Sequence, residues 1–359
     1  MKKIYYITAV FATLFLVGCG DGIDLPGVNV ETDLNKIPLP DNNVNLEQVE
    51  LKPSTEPMLH EGLHTEEDFQ RIRDKKAAGE EPWVSAYQLL VESQFSQKTA
   101  DTYPTEWIKR GISGDENYMN AARGATIVYQ QALRWKIEQD DEYAAKAVEN
   151  LNKWVQTCVG VTGNTNLSLA AGLYGYEFAI AGELLRDYGG WDRADFAAFQ
   201  NWLLKVFYPA NDDFLKRHHD TNALHYWANW CLCNIAAKMA IGIVTDRRDI
   251  YNEGIAHLQT GDTNGRLRRA IYHDYAPDYN FAQWQESGRD QGHTLMCVGL
   301  MGIICQLAWS QGDDFFAYDD NLFLRACEYA ACCNYTNETV PYTCLLYTSP
   351  SPRDRSVSR

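Results

Sequence analysis

Residues 115–157 read DENYMNAARGATIVYQQALRWKIEQDDEYAAKAVENLNKWVQT. The stretch holds two apolar periods of helical spacing, joined by one short polar connection. Each period opens with an acidic residue and a Tyr in the first turn, at Asp115–Tyr118 and Asp140–Tyr143, and Asp249–Tyr251 is a looser copy. This spacing favours consecutive antiparallel helix pairs, and therefore an (α/α) toroid over an irregular bundle.

The helical period extends along almost the whole chain after residue 65. Thr65–Asp68 resembles a capping box, which marks the start of a helix. Alternating stretches of strand length are scarce, so the sequence predicts an all-α domain. The predicted helices span about 65–78, 83–95, 117–138, 142–157, 166–187, 193–207, 222–243, 248–258, 290–311 and 320–333.

The first residues are typical of an export signal. Two lysines precede the apolar run Ile4–Val17, which is too short to span a bilayer as a mature helix. The run ends in Leu16-Val17-Gly18-Cys19, which resembles a bacterial lipobox and implies lipidation of Cys19. An ordinary signal peptide with an incidental cysteine is the alternative. We expect an exported lipoprotein of the periplasm or outer membrane of a Gram-negative bacterium, anchored only through its N-terminal lipid.

Both ends of the chain are expected to lie outside the fold. The segment before about residue 60 is rich in Pro, Asn, Asp and Glu without a period, which is typical of a tether. The stretch from Cys344 resembles a translated sequencing-adapter read-through, so we expect the natural protein to continue differently after residue 343. The expected organisation is a signal peptide 1–18, a lipidated Cys and disordered tether 19–62, a toroid domain 63–343 and an artefactual tail 344–359.

The chain is acidic, with a formal net charge of −16. Such a charge argues against nucleic acid as a partner, and it suits a polyanionic ligand only if positive charge is concentrated locally. Lys216–His219 and Arg266–Arg269 are local concentrations. A solvated loop is the alternative for each, and it is the preferred interpretation of Arg266–Arg269. The cysteines form no two CxxC pairs, so the sequence predicts no metal site.

The first candidate site is the stretch Asn222-Ala-Leu-His225-Tyr226-Trp227-Ala-Asn229-Trp230. On a helix the two Asn, the His and the Tyr would share one face, and the two Trp would flank it. So many polar groups suit a ligand site better than a dry core, because each buried polar group needs a partner. A satisfied polar cluster that bridges helices is the alternative.

The second candidate site is Gln283-Trp284-Gln-Glu286-Ser-Gly-Arg289-Asp290-Gln291-Gly-His293. We expect Trp284 to stack on a pyranose ring and Arg289 to offer a planar fork to a carboxylate. The His293 imidazole is a candidate for proton transfer. Glu286 is either a ligand contact or the partner of Arg289 in a structural salt bridge, with Gln291 capping the next helix.

Two further groups are weaker candidates. Asn164 and Asn166 open a predicted helix, and a helix N-cap alone accounts for Asn166. Lys109 and Arg110 follow Trp107 in an expected loop. This loop suits a lid over a charged sugar chain, and a solvated loop equally well.

Four segments of the chain resemble the alginate lyase domain of bacterial polysaccharide lyases. They are His64–Phe69, Gly163–Asn166, His225–Trp230 and Glu286–His293. The resemblance extends over nearly the whole expected domain. It implies an incomplete (α/α) toroid with a deep cleft, an acidic polysaccharide as partner, and β-elimination in a uronic-acid polymer without a cofactor.

That reaction removes the C5 proton beside a uronate carboxylate, so donors must first neutralise the carboxylate charge. A base then takes the proton, and an acid protonates the departing O4. The resemblance implies Asn222 and Arg289 at the carboxylate, His225 as base and Tyr226 or His293 as acid. The base and the acid stay open, because this sequence departs from the family pattern at two places. In the family one residue separates Asn-Asn-His from Tyr-Trp, whereas His225 directly precedes Tyr226 here. The family also has a Tyr at the position of His293. The expected substrate-binding residues are Lys109, Arg110, Asn164, Asn166, Trp227, Trp230, Trp284 and Glu286.

Two other classes of protein remain alternatives. A glycoside hydrolase on the same toroid needs two carboxylates about 5–10 Å apart, for which Glu286 with Asp290 or Asp220 are the candidates. A lipid-anchored glycan-binding protein would keep the tryptophans without positioned acid and base groups.

Overall fold

The computed structural model describes residues 49–335 and 339–343. The expected signal peptide, Cys19, most of the tether and the tail from Cys344 lie outside the described residues. The helices are α1 Glu66–Ala77, α2 Trp83–Glu92, α3 Tyr118–Glu138, α4 Asp141–Thr157, α5 Leu167–Leu184, α6 Arg193–Val206, α7 Tyr208–Arg217, α8 Ala228–Val244, α9 Arg248–Thr260, α10 Leu267–Ala270, α11 Gln291–Ser310 and α12 Tyr318–Tyr335. The strands are β1 Trp107–Arg110, β2 Gly160–Gly163, β3 Ile271–Asp274 and β4 Ala282–Trp284.

Four helices, α3, α5, α8 and α11, lie side by side in this order and form the inner layer. They run in the same direction. Asn234 of α8 donates to the Ser168 carbonyl at the start of α5 (3.2 Å), and Arg186, just after α5, donates to the Val244 carbonyl at the end of α8 (2.9 Å). Helices α4, α6, α9 and α12 return along the outside. The fold is therefore an all-α (α/α) toroid, as predicted.

Three of the inner helices, α5, α8 and α11, are apolar on nearly every side because neighbours surround them, whereas α3 keeps a polar face. Every residue of α8 except Trp230 is buried. Gly172 of α5 allows close approach, since a Cβ there would lie 2.5 Å from the Cys233 sulfur. Helix α11 is long and apolar enough to cross a membrane, yet 61% of its most apolar window is buried inside the domain. That burial identifies α11 as a core helix.

Most predicted helices are found within a few residues of their expected ends. The exception is the helix expected over 222–243, which begins only at Ala228. His218, His219 and Asp220 have positive φ and form a left-handed turn that breaks the helical path. Helix α7 and the four short strands were not expected from the sequence.

The described part of the expected tether packs on the domain. Residues 49–64 run from the last turn of α9, where Val49 bonds to Gln259, to the C-terminal ends of the inner helices. Gln311, after α11, donates to the carbonyls of Leu59 and Glu61, while buried Arg248 donates to those of Glu56 and Pro57. The tether boundary expected at residue 62 therefore falls inside a hydrogen-bonded segment.

Candidate active site

All four candidate groups lie at the end of the toroid where the inner helices begin. Residues 107–117, which include β1, precede α3. Residues 160–166 precede α5, residues 218–227 precede α8 and residues 285–290 precede α11. Because the inner helices are parallel, these four connections lie at the same end of the domain. The same end carries the positive dipole ends of four helices, which favour anions.

Lys109 and Arg110 do not belong to a loop, as expected, but to strand β1. Strand β1 pairs in parallel with β2, and its alternation turns the two side chains to opposite faces. Lys109 pairs with Asp115 (2.7 Å). The Arg110 guanidinium lies 4.7 Å from the Tyr118 ring, and its Nη1 is buried without a partner among the described residues. Unlike Lys109, Arg110 has no carboxylate partner in the described part of the chain, so its charge is not neutralised there.

Asn164 and Asn166 meet in the turn between β2 and α5. The Asn164 side-chain oxygen accepts hydrogen bonds from the Asn166 backbone N–H and from its side-chain amide. Asn166 occupies the N-cap position of α5 without a side-chain cap bond. A Cβ on Gly111 would overlap the Asn164 side chain, so glycine at that position lets β1 and this turn touch. The exposed Asn164 amide therefore lies beside Arg110.

The stretch 222–227 is a turn, so the expectation that its polar residues share a helix face with Asn229 is wrong. The Asn222 side-chain oxygen accepts from the Leu224 N–H (2.8 Å), which closes an Asx-type turn. The Asn264 amide donates to the carbonyls of Leu224 and Tyr226 and fixes this turn from outside. Asn222 and His225 remain exposed.

Three imidazole rings surround the Tyr226 ring. The centroids of His225, His219 and His218 lie 4.9, 5.7 and 6.1 Å from that of Tyr226. The Trp230 ring covers another side at 4.7 Å. Burial raises the pKa of the Tyr226 phenol, against a hydrogen bond with Thr165 that lowers it.

The three histidines differ in environment. Burial lowers the pKa of His218 to about 4, helped by its two histidine neighbours, so His218 is neutral at physiological pH. His219 is half-buried, and its Nε2 is 3.0 Å from the Ser168 hydroxyl. His225 is exposed. The sequence identified His225 as a candidate but assigned His218 and His219 only to a basic stretch, since the left-handed turn that directs them at Tyr226 has no sequence signature.

Arg289 and Trp227 join the two main candidate stretches. The Arg289 guanidinium lies 5.3 Å from the Trp227 ring, which is a cation–π geometry. Below them the Gln285 side chain accepts from the Ala228 N–H (2.8 Å), and Glu286 accepts from the Asn229 N–H (3.3 Å). The structure therefore brings both stretches together on a solvent-accessible surface.

Trp284 and Glu286 are not exposed, contrary to the roles expected of them. Trp284 is fully buried, and its indole N–H donates to the Ala326 carbonyl (3.0 Å), so it cannot stack on a sugar. Glu286 is fully buried and pairs with Arg289 (3.2 Å). Its pKa is raised by burial, an effect that the Arg289 charge opposes. The salt-bridge alternative is the correct one for Glu286.

Asp290, rather than Gln291, caps helix α11. Its carboxylate accepts from the His293 N–H (2.8 Å) and lies 2.6 Å from the His293 Nδ1. Burial acts to raise the pKa of Asp290, but these hydrogen bonds and the nearby charges hold it below its usual value. The pair fixes the imidazole through Nδ1, which leaves Nε2 for a proton transfer.

The basic stretch Arg266–Arg269 is only partly a solvated loop. Arg268 pairs with Asp319, whereas the Arg266 Nε is buried without a partner within the described ranges. Arg266 follows Asn264, which holds the Tyr226 turn. The partial burial of Arg266 was not predicted from the sequence.

The alginate lyase family model matches residues 73–338, which is most of the chain. A helical toroid with histidine, tyrosine and arginine at one end is thus the scaffold of a polysaccharide lyase. The chain belongs to the alginate lyase family. Among curated proteins, none matches it.

Several solved structures share the fold. Alginate lyase A1-III from Sphingomonas species A1 is 14% identical, with a TM-score of 0.53 over 77% of this chain and 80% of that one. Its His→Ala variant, complexed with a tetrasaccharide, gives a TM-score of 0.60 at 14% identity, over 77% and 78% of the two chains. An alginate lyase from Bacteroides ovatus, also 14% identical, gives 0.52 over 75% and 82%.

Proposed function

We propose that this lyase cleaves an alginate-like uronic-acid polymer by β-elimination at the surface where α3, α5, α8 and α11 begin. The observation that carries the proposal is the Tyr226 ring, surrounded by three imidazoles, next to the Arg289–Trp227 pair. Acid, base and carboxylate-binding groups thus lie within one short stretch of surface.

Arg289 and Asn222 receive the uronate carboxylate in this proposal. Arg289 projects beside Trp227 with its side chain 31% exposed, and its fork matches a carboxylate. The Asn222 oxygen is used in its own turn, which leaves the side-chain NH2 group as the donor. Neutralising the carboxylate lets the charge of the C5 carbanion spread into it, as an oxyanion site does.

Tyr226 and His225 carry the protons in this proposal. The His225 ring stands edge-on against the Tyr226 ring, and its exposure gives a sugar access to it. The phenol, whose pKa is raised, stays protonated at neutral pH and acts as the acid for the departing O4. His219 and the Asp290-supported His293 are the rival bases.

Two variants of the A1-III enzyme are compatible with this choice. A His→Ala variant and a Tyr→Phe variant of that enzyme were each obtained in complex with a tetrasaccharide. A histidine and a tyrosine whose removal leaves a sugar chain bound in that enzyme support the assignment of one residue of each kind here.

Arg110, Asn164 and Asn166 extend the binding surface toward α3, with Trp227 and Trp230 as aromatic walls. Trp230 is half-buried. Lys109, neutralised by Asp115, contributes less. Together with the helix N-termini, these cations supply local positive charge in a chain whose formal net charge is −16.

A glycoside hydrolase is disfavoured by the state of its candidate carboxylates. Glu286 is buried and bound to Arg289, Asp290 is bound to His293, and Asp220 is exposed and paired with Arg217. A pair of carboxylates facing one glycosidic bond is therefore absent from these candidates.

Digestion of alginate and of a neutral polysaccharide, followed by ultraviolet absorbance, tests the proposal. Elimination creates a C4–C5 double bond conjugated with the carboxylate. Absorbance should therefore rise during digestion of the uronan and stay constant with the neutral polysaccharide. His225→Ala and Tyr226→Phe should abolish the rise. His60→Ala, at the opposite end of the domain, should not. New reducing ends without absorbance would contradict the proposal.

The lipobox-like sequence at Cys19 supports a second proposal, that the chain is exported and lipidated. Expression with a labelled fatty acid should label the chain, and Cys19→Ala should remove both the label and membrane association. A Cys19→Ala chain that still partitions with membranes would overturn it.

A further inference from the structure

We infer that Glu286 is a positioning residue: its buried carboxylate holds the Arg289 guanidinium over Trp227, ready for the uronate carboxylate. This inference rests on the proposed function, because Arg289 has this task only if a uronate is the substrate.

The burial of Glu286 separates it from the sugar-binding surface. No part of the residue is accessible, whereas 31% of the Arg289 side chain is. A charged group in such a place is stable only when partners satisfy it. Its role must therefore pass through those partners.

The partners of Glu286 come from three parts of the site. One carboxylate oxygen accepts from the Asn229 N–H in the first turn of α8 (3.3 Å) and lies 3.9 Å from the Cys297 thiol of α11. The other oxygen accepts from Arg289 Nη1 (3.2 Å), and the Glu286 carbonyl accepts from the Arg289 N–H (2.8 Å). A single side chain thus connects the starts of two inner helices to the arginine.

A second carboxylate lies near Arg289 and would compete with Glu286 for the guanidinium. Asp290 lies 3.9 Å from the Arg289 Nε while it holds the His293 ring. Without the Glu286 charge, the guanidinium would shift toward Asp290 and away from Trp227. That shift would disturb the carboxylate site and the His293 contact together.

The chain contains a matched control pair at the opposite end of α5. Glu183 and Arg186 also form a buried pair three residues apart (2.8 Å), with side-chain exposures of 5% and 10%. Removing the arginine of either pair leaves a buried carboxylate without its partner, so both pairs should show coupled effects on stability. Only the Glu286 pair should show coupled effects on catalysis.

The test is a double-mutant cycle on the full chain with alginate as substrate. We expect Glu286→Gln to lower kcat/KM about tenfold or more, because it removes a hydrogen bond to a charged group. Arg289→Ala should lower it about 10²-fold or more, because the carboxylate donor itself is lost. The double variant should be no worse than Arg289→Ala alone. Glu183→Gln should lower the melting temperature and leave kcat/KM of the folded enzyme unchanged.

Three results would overturn the inference. One is a Glu286→Gln variant with wild-type kcat/KM. Another is a double variant whose losses multiply. The third is a Glu183→Gln variant that loses activity as Glu286→Gln does. If Glu286→Gln does not fold, Glu286→Asp keeps the charge but is one methylene too short, and the same cycle and outcomes apply. A wild-type chain that yields no unsaturated uronate would refute the proposed function itself. This result does not depend on any of the variants.

Discussion

The sequence shows which side chains could carry out lyase chemistry, but it does not show which of them are exposed to solvent. Arg289 and Tyr226 lie in the candidate site as expected. Trp284 and Glu286 are sealed in the core instead. The same short stretch supplies a core residue, a positioning residue and a surface residue, because β4 and the turn after it pass from the interior to the surface. No periodicity marks that passage.

Replacing Arg289 with Ala should lower kcat/KM on a uronan about 10²-fold or more, because the developing negative charge loses a preorganised donor. Initial rates of absorbance increase measure this. Arg193→Ala, an exposed arginine on the outer helix α6, is the matched control and should keep the wild-type rate. Equal rates for the two variants would rule out Arg289 as the carboxylate ligand.

Glu177 of α5 should make the protein less stable as the pH rises. Burial raises its pKa to about 8, against a lowering hydrogen bond with Tyr176. Since the folded pKa exceeds the unfolded value of 4.5, the folded state holds a proton that the unfolded chain has lost, and this stabilisation disappears as the pH rises through about 8.

Melting temperatures of wild type and Glu177→Gln, followed from about pH 5 to about pH 9, test this account. The variant cannot ionise at this position, so its melting temperature minus that of the wild type should increase as the pH rises. Glu92→Gln, an exposed change on α2, should show no such trend. A difference that stays constant with pH would contradict a buried protonated Glu177.

At the scale of elements, helices were largely predictable, because capping residues and apolar period mark them in sequence. Asp140, Asp192 and Asp290 cap α4, α6 and α11 with their side chains. The late start of α8 was not predictable, because it follows a left-handed turn at 218–220 in which His218 and His219 pack against the rings of Phe214 and Tyr226. The strands are too short to show an alternation.

Ala variants of the three N-cap aspartates distinguish an effect on stability from an effect on catalysis. Replacing any of them with Ala should cost about 1 kcal/mol in the free energy of unfolding. Only Asp290→Ala should also lower kcat/KM, because it releases His293 and leaves Arg289 with one carboxylate. Denaturant melts and uronan digestion of the three variants provide the measurements. Activity unchanged in Asp290→Ala would exclude this pair from the site.

At the scale of the whole molecule, the two ends of the toroid have different tasks. The connections before the inner helices carry the candidate site, and residues 49–64 close the other end. The toroid could be predicted from helix pairs. The closure could not, because its bonds join main-chain carbonyls of a segment without period to distant side chains such as Arg248 and Gln311.

Loosening the closed end should cost stability and leave catalysis intact. Arg248→Ala removes two hydrogen bonds to the segment, so the free energy of unfolding should fall by about 1–3 kcal/mol. Amide exchange over 49–64 should become faster. Arg247→Ala, an exposed neighbour paired with Asp249, should change little. Loss of activity in folded Arg248→Ala would mean that the two ends are coupled.

Mass spectrometry of the uronan fragments released by the intact chain distinguishes elimination from hydrolysis. We predict that each cut yields one new reducing end and one unsaturated uronate lacking the elements of water, and that Tyr226→Phe yields neither. Products that gain water at every cut, with saturated ends, would show hydrolysis and contradict the proposed elimination.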